Sequence, residues 1–188
     1  MSGEVYTGTK FRTLYISHEP PEDNHLSELT AWSHRLAELG VLATAMGNVS
    51  FRTLGGFIIS PTRTDPHTIT PRQFVEVLAV DVATRTLQVR GAAEPSSESM
   101  LHSAIYRARK DVQAIFHGHD SRVLAGADKL QIPVTLREQS YGTPALVDEA
   151  LAIAVGCDVF VMRNHGFVVL GVTLAEAGGR VEGLLQRL

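Results

Sequence analysis

The stretch of sequence that decides the fold is Val112-Gln113-Ala114-Ile115-Phe116-His117-Gly118-His119. Its first five residues form a short, mainly apolar run, which predicts a buried strand, and a histidine pair follows where this strand ends. In an extended segment, residues i and i+2 face the same way, so His117 and His119 can both reach one ion. Gly118 adds no side chain that would crowd them. The pattern therefore indicates a metal site at the edge of a sheet.

Helices are predicted on both sides of this strand, from apolar residues at helical spacing and from start and stop signals. The predicted helices cover residues 26–39, 99–110, 121–130, 146–155 and 174–188. Gly40 is expected to end the first helix, and Thr143 and Thr173 are the expected N-caps of the last two.

β-Branched and apolar runs between turn residues predict further strands. These strands cover residues 57–60, 74–82, 86–90, 158–162 and 166–170. Short connections predict antiparallel hairpins, while helices interleave with the strands. The predicted class is α/β, a three-layer α/β/α sandwich with a mixed, largely antiparallel central sheet. We expect residues 1–188 to form a single domain, with residues 1–25 as an irregular N-terminal arm.

Length, composition and charge exclude several classes of protein. The 188 residues suit one domain, and the net charge of −3, without a basic run, argues against a nucleic-acid partner. No stretch approaches the ~20 apolar residues of a membrane helix. The polar start of the chain lacks the apolar core of a secretory signal, so we expect a cytoplasmic protein.

A third histidine strengthens the metal interpretation, because a His-x-His pair alone also occurs by chance on a surface. His165 lies at another predicted strand edge and stands beside Gly166. Three histidines leave one open position on a catalytic zinc ion. The remaining histidines are interpreted as surface or core residues: His18, His25, His34, His67 and His102.

Polar residues precede the helix predicted at 99–110, in the segment Pro95-Ser96-Ser97-Glu98. The simplest interpretation is a helix start, with Ser96 or Ser97 as the cap and the carboxylate complementing the helix dipole. Serine hydroxyls and free N–H groups at a helix N-terminus also bind anions, and Glu98 would then lie beside the anion.

Two further segments carry polar groups, Gly47-Asn48-Val49-Ser50 and Ser60-Pro61-Thr62-Arg63-Thr64. Each alone is typical of a turn or a loop. Together they supply backbone amides, hydroxyls and one guanidinium, which would suit a phosphate or a carboxylate.

The order of these segments, followed by Tyr141-Gly142-Thr143 and Asn164-His165-Gly166, resembles the class II aldolase/adducin family over residues 26–188. The resemblance implies an α/β/α fold and a C4 homotetramer with active sites at subunit boundaries. It also implies a divalent ion, zinc or alternatively manganese or cobalt, on His117, His119 and His165. The implied acid/base is Glu98, which is also a ligand of the metal when substrate is absent.

The same resemblance implies a sugar-phosphate substrate, or a related anionic ketose. The implied substrate-binding residues are Gly47, Asn48, Thr62, Arg63, Ser96 and Ser97. Tyr141 is a further candidate for substrate contact, with a packed aromatic as the alternative. Family aldolases usually carry glycine where this chain has Arg63, so the guanidinium would either bind the anion or fill its pocket. The chain ends at Leu188, so family residues that act from a C-terminal tail are expected to have no counterpart.

The leading hypothesis is a zinc-dependent aldolase that cleaves a small sugar phosphate through a metal-stabilised enediolate. Glu98 would shuttle the proton, provided that its pKa is raised towards neutrality. Alternatives on the same scaffold are a methylthioribulose-phosphate dehydratase and a sugar-phosphate epimerase, although ribulose-phosphate 4-epimerases usually have aspartate at this position. An adducin-like interaction module, which lacks the metal ligands, is the non-enzymatic alternative.

Overall fold

The computed structural model describes residues 7–44 and 46–188, and these residues form one eight-stranded sheet with helices on both faces. The strands are β1 (Arg12–Ser17), β2 (Asn48–Arg52), β3 (Phe57–Ile59), β4 (Val75–Asp81), β5 (Thr86–Arg90), β6 (Ala114–Gly118), β7 (Val159–Met162) and β8 (Gly166–Gly171). The helices are α1 (Leu26–Glu38), α2 (Ser99–Ala108), α3 (Ser121–Leu130), α4 (Pro144–Ala154) and α5 (Leu174–Gln186), with a 3₁₀ turn at Pro71–Gln73.

The sheet is mixed and largely antiparallel, as the sequence predicts. Its strand order is β1-β5-β4-β3-β2-β6-β8-β7. The pair at one end of the sheet, β1 with β5, is parallel, and the other neighbouring pairs are antiparallel. Strand β6, which carries the histidine pair, therefore lies inside the sheet between β2 and β8.

Two apolar cores cover the two faces of the sheet. Phe116 of β6 packs in a core with side chains of α1, α3 and α5. Its neighbour Ile115 points to the opposite face and packs with α2 and α4. This alternation produces the three-layer α/β/α sandwich, and the prediction of the fold class is confirmed.

Start and stop signals place most helices within two residues of their predicted limits. The Thr143 hydroxyl accepts a hydrogen bond from Leu146 N, and Thr173 caps α5 through Glu176 N. Helix α2 ends two residues early, because Arg109 has an extended backbone. Among the described residues, no helix is both long and apolar enough to cross a membrane.

The N-terminal segment differs from its prediction. Residues 12–17 form β1, so the expectation of an irregular arm over residues 1–25 is wrong there, while residues 1–6 lie outside the described part. β1 is an edge strand without apolar alternation, which is why the pattern missed it. Its Thr13 and Tyr15 hydroxyls donate to the Glu94 carboxylate at 2.6 and 3.1 Å, which ties the strand to the loop before α2.

Candidate active site

Strand β6 and the β7–β8 turn bring the three predicted metal ligands together. His117 is part of β6, which runs two residues further than predicted, and His119 follows it. The ring centroids of these two residues lie 4.6 Å apart, and His165 lies 5.1 Å from His117 and 5.2 Å from His119. One possible ligand atom of each imidazole lies within 4.8 Å of the others. The shared direction of i and i+2 side chains in a strand is thus confirmed.

The His117 ring is held in one orientation. Its Nδ1 lies 2.9 Å from the carbonyl oxygen of Phe167 on the neighbouring strand β8, so Nδ1 carries the proton and donates it. The lone pair of the neutral ring is then on Nε2, which faces the cluster. A Cβ at Gly166 would lie 2.5 Å from Cε1 of this ring, so glycine is required where β8 begins.

The Glu98 carboxylate lies between two of the histidines. Oε2 is 3.1 Å from His117 Nε2, and Oε1 is 3.1 Å from His165 Nε2. Asn48 at the start of β2 donates its Nδ2–H to Oε2 at 3.0 Å. Glu98 occupies the N-cap position of α2, but its side chain caps no backbone group. The carboxylate therefore contacts the histidine cluster and does not cap the helix.

Burial and mutual charge fix the protonation states of the cluster. Burial lowers the pKa of His119 to about 3, with help from the nearby His117 and His165, and burial likewise lowers the pKa of His117. For Glu98, burial raises the pKa, but positive charge placed at His117 or His165 outweighs burial, and the pKa lies well below its usual range. The expectation of a raised Glu98 pKa is wrong, because positive charge at the histidine cluster favours the ionised carboxylate.

The donor set fits a divalent cation. Neutral imidazoles and a carboxylate are the forms that bind metal. Within the described residues, His117 Nε2 and Glu98 Oε1 are fully buried and are not aligned for any hydrogen bond. A buried imidazole lone pair at His117 Nε2 that faces a carboxylate is costly unless a proton or a metal cation lies between them. His117, His119, His165 and Glu98 are therefore the residues that could hold a metal ion.

All seven residues predicted to bind substrate line one cavity of about 1330 Å³, together with Glu98, His119 and His165. The polar loops meet there because the backbone at Pro61 pairs antiparallel with that at Pro95, and Ser96 N donates to Ser60 O. The substrate-binding residues in question are Gly47, Asn48, Thr62, Arg63, Ser96, Ser97 and Tyr141.

Two of these residues, Arg63 and Tyr141, differ in exposure and in contacts. Arg63 is exposed and has a φ of +56°, in the left-handed region that favours glycine. Tyr141 is buried at the cavity wall, where its hydroxyl accepts from Thr7 N at 2.8 Å and donates to Gly8 O at 3.1 Å. The Tyr141 hydroxyl therefore anchors the N-terminal segment beside the cavity.

The cavity also has walls that the sequence did not indicate. Residues 120–122 follow His119 directly, and the Arg122 guanidinium contacts the Asp120 carboxylate at 2.6 Å. Adjacency to the histidine pair was the only available signal for them. An apolar part of the lining comes from distant segments and had no signal: Leu42, Ala43, Met46, Pro66, Ile69, Leu124 and Ala125.

Comparison with known proteins identifies the family. Residues 27–186 match the family model described as Class II Aldolase and Adducin N-terminal domain. The chain belongs to this family. The match covers the sheet from β2 onwards and all five helices, and so includes every predicted site residue.

The similar proteins include enzymes named as dehydratases, found by sequence, and an enzyme named as an aldolase, found by structure. A methylthioribulose-1-phosphate dehydratase of Pectobacterium atrosepticum is 28% identical over 193 aligned positions, covering 87% of this chain and 91% of the relative. The enzyme of the same name from Gluconacetobacter diazotrophicus is 29% identical over 188 positions, covering 85% and 88%. Among solved structures, an L-fuculose 1-phosphate aldolase superposes with a TM-score of 0.75 at 23% identity, covering 89% of this chain and 84% of the aldolase.

Proposed function

We propose that this family member is a divalent-metal lyase that removes water from a small ketose phosphate of the methylthioribulose 1-phosphate type. The observation that carries the metal-lyase part of the proposal is the Glu98 carboxylate, buried between His117 and His165 in a cavity with polar and apolar walls. Zinc is the proposed ion, because three imidazoles leave it an open position, and manganese or cobalt could replace it.

Glu98 is the proposed base. Its low pKa keeps it ionised at neutral pH, so it can accept the proton from the carbon between the substrate carbonyl and the leaving hydroxyl. A low pKa also makes it a weak base, and a bound divalent ion would supply the missing driving force by polarising the carbonyl and stabilising the enediolate. Glu98 then returns the proton to the departing hydroxyl, which leaves as water. The Asn48 amide, which donates to Glu98 Oε2, would help to keep the carboxylate in place.

Two observations favour dehydration over carbon–carbon cleavage. Sequence relatives that this chain matches over 84–92% of their length are named as methylthioribulose-1-phosphate dehydratases. The cavity also has an apolar wall near the polar loops, with Leu42, Met46 and Leu124 among its residues. Such a wall suits a substrate with an apolar methylthio end better than a sugar that carries hydroxyls throughout.

Aldol cleavage is the second candidate. The same residues would remove the proton from a hydroxyl and break the adjacent carbon–carbon bond, so Glu98 and the histidines do not separate the two reactions. The aldolase superposition supports the fold that both reactions share. An adducin-like module is disfavoured, because it has no use for a carboxylate buried among three imidazoles. A homotetramer with active sites at subunit boundaries stays a proposal from the resemblance.

The test is a product analysis with the zinc-loaded protein. Methylthioribulose 1-phosphate and L-fuculose 1-phosphate would each be incubated with it, and the products followed by ¹H and ³¹P NMR. We expect the first substrate to lose water and give a diketone phosphate. Release of dihydroxyacetone phosphate and an aldehyde would support the aldolase instead. If the metal-loaded protein changed neither ketose, the proposed function would be wrong.

Replacement of Arg63 by glycine tests the anion site. We expect KM for a phosphorylated ketose to rise about 10- to 100-fold, because a charge-assisted hydrogen bond contributes ~1.5–3 kcal/mol. The left-handed backbone at position 63 is strained with arginine but not with glycine, so Arg63→Gly should also be slightly more stable in thermal unfolding. KM is measured with phosphorylated and unphosphorylated forms of one ketose, and only the first should change.

The direction of the KM change distinguishes the two roles left open for Arg63. If the guanidinium fills the phosphate pocket, Arg63→Gly would lower KM for the phosphorylated ketose. The matched control is Arg85→Gly, which removes another exposed arginine with positive φ, in the β4–β5 turn. It should leave KM unchanged for both forms of the ketose.

A further inference from the structure

One face of α2 lies on one face of β2 through polar side chains. Glu98, His102 and Tyr106 follow one another at i, i+4 and i+8, and are 4%, 0% and 3% exposed. Asn48 and Ser50 follow at i and i+2 of β2, and are 4% and 0% exposed. These five residues, which we call the buried polar stripe, occupy positions where apolar side chains usually pack.

The stripe is joined by short contacts at three levels. Asn48 Nδ2 donates to Glu98 Oε2 at 3.0 Å. One turn further along α2, His102 Nδ1 and Ser50 Oγ are 2.7 Å apart, and Ser50 Oγ is also 2.7 Å from the Tyr106 hydroxyl. A shift of α2 along β2 would break all three contacts together and would leave the buried His102 Nδ1 and Ser50 Oγ without these partners.

Below the stripe, Arg52 fixes the far end of α2. Its guanidinium donates to the carbonyl oxygens of Tyr106 and Arg109 at 2.8 and 2.7 Å, and it lies 4.7 Å from the Tyr106 ring centroid. The side chains at 48, 50 and 52 of β2 thus contact α2 from its N-cap, Glu98, to its C-cap, Arg109. The helix that carries Glu98 is held in register by this strand.

His102 is the central member of the stripe. Burial lowers the pKa of its imidazole to about 3, against the opposing charge of Glu98, so the ring is neutral. It does not line the cavity and therefore does not reach the substrate. Within the described residues, its Nε2 makes no hydrogen bond, so the contact to Ser50 is the bond that orients the ring. A neutral, buried histidine adds specificity of position at the cost of desolvation.

We propose that His102 is a positioning residue, whose Nδ1 contact with Ser50 fixes α2 on β2 so that the Glu98 carboxylate lies between His117 and His165. The effect on turnover rests on the proposed function, whereas the effect on the metal centre does not. A shift of the carboxylate of about 1 Å is expected to cost up to ~10²-fold in rate, and loss of an outer partner typically costs ~10–100-fold.

The test compares two amides at position 102. Asparagine places its amide near the Nδ1 position and can keep the Ser50 contact, whereas glutamine reaches towards the Nε2 position and loses it. We expect His102→Gln to lower kcat about 10- to 100-fold with little change in KM. His102→Asn should retain most of the activity. His25→Gln, at an exposed position before α1, is the control and should match the wild type.

A second readout needs no turnover. The absorption spectrum of bound cobalt(II) reports its coordination, and Glu98 lies close enough to the histidines to affect it. We expect the His102→Gln spectrum to shift towards that of Glu98→Gln, and the His102→Asn spectrum to stay near the wild type. Ser50→Ala removes the same contact from the strand side and should behave as His102→Gln, also if His102→Gln fails to fold.

Two outcomes would overturn the proposal. His102→Gln and Ser50→Ala could both keep the wild-type cobalt spectrum, which would mean that the contact does not position Glu98. His102→Asn could shift the spectrum as strongly as His102→Gln, which would mean that ring packing and not the Nδ1 contact is responsible. If the wild type turned over no ketose phosphate, the proposed function would fail, and the cobalt spectra would still decide the role of His102.

Discussion

Glu98→Gln is expected to keep the metal and to lower turnover about 10²- to 10⁴-fold, the range typical for loss of a general base. Glutamine has nearly the same shape and can still accept the Nδ2–H of Asn48 through its amide oxygen. It cannot accept a proton from carbon. Turnover and metal content would be measured on the same preparation, so that loss of the ion is separated from loss of the base.

The control for this variant is Glu28→Gln, which changes an exposed carboxylate in the first turn of α1. It should have wild-type turnover. Full activity of Glu98→Gln with its metal bound would show that another group removes the proton. The cavity offers Asp120 and Glu138 as the next carboxylates to examine, although each already contacts a side chain, Arg122 and Asn164 respectively.

His119→Ala is expected to weaken metal binding by at least about 100-fold, since loss of an outer partner of a ligand already costs 10–100-fold. His119 is the better choice than His117, whose ring is 1% exposed and packed in the sheet, so that its removal would also leave a cavity in the core. Affinity for zinc would be measured by competition with a chromophoric chelator, and turnover in excess zinc on the same sample.

His67→Ala removes a surface histidine from the loop before the 3₁₀ turn and provides the matched control. Its zinc affinity should equal that of the wild type. Equal affinity of His119→Ala and the wild type would place the ion elsewhere, and would remove the basis for the role that we give to Glu98.

Local geometry explains what the sequence could predict. The i, i+2 rule for a strand put His117 and His119 on one side, and their rings do lie 4.6 Å apart. A cap residue such as Thr143 accepts a hydrogen bond from a backbone N–H only a few residues further along the chain, so the helix limits are predictable from the local sequence. The family resemblance, by contrast, came from the order of motifs and not from any single distance.

Features that depend on distant parts of the chain were not predictable. Strand β1 exists because its backbone pairs with β5 and its hydroxyls bind Glu94, and neither partner is near it in sequence. The low pKa of Glu98 arises from His117 and His165, which approach it only in the fold. The sequence indicates only a surface or core residue at His102, because its contact with Ser50 joins residues 52 positions apart.

The predicted site residues do not decide between dehydration and aldol cleavage. Both reactions use a base beside a metal-bound carbonyl, so Glu98, His117 and His119 are compatible with either. The substrate end away from the carbonyl distinguishes them, and that end would meet the apolar wall formed by the segments around Leu42 and Ile69 and by Leu124 of α3. No short motif encodes such a wall, because its members come from three separate segments.

His117, His119 and His165 are proposed to form one divalent-metal site beside Glu98. The most direct measurement is the metal content of the wild-type protein, purified without chelator and analysed by inductively coupled plasma mass spectrometry. We predict about one divalent transition-metal ion per chain. Protein that holds none, and that binds none when zinc, manganese or cobalt is added, would contradict the claim.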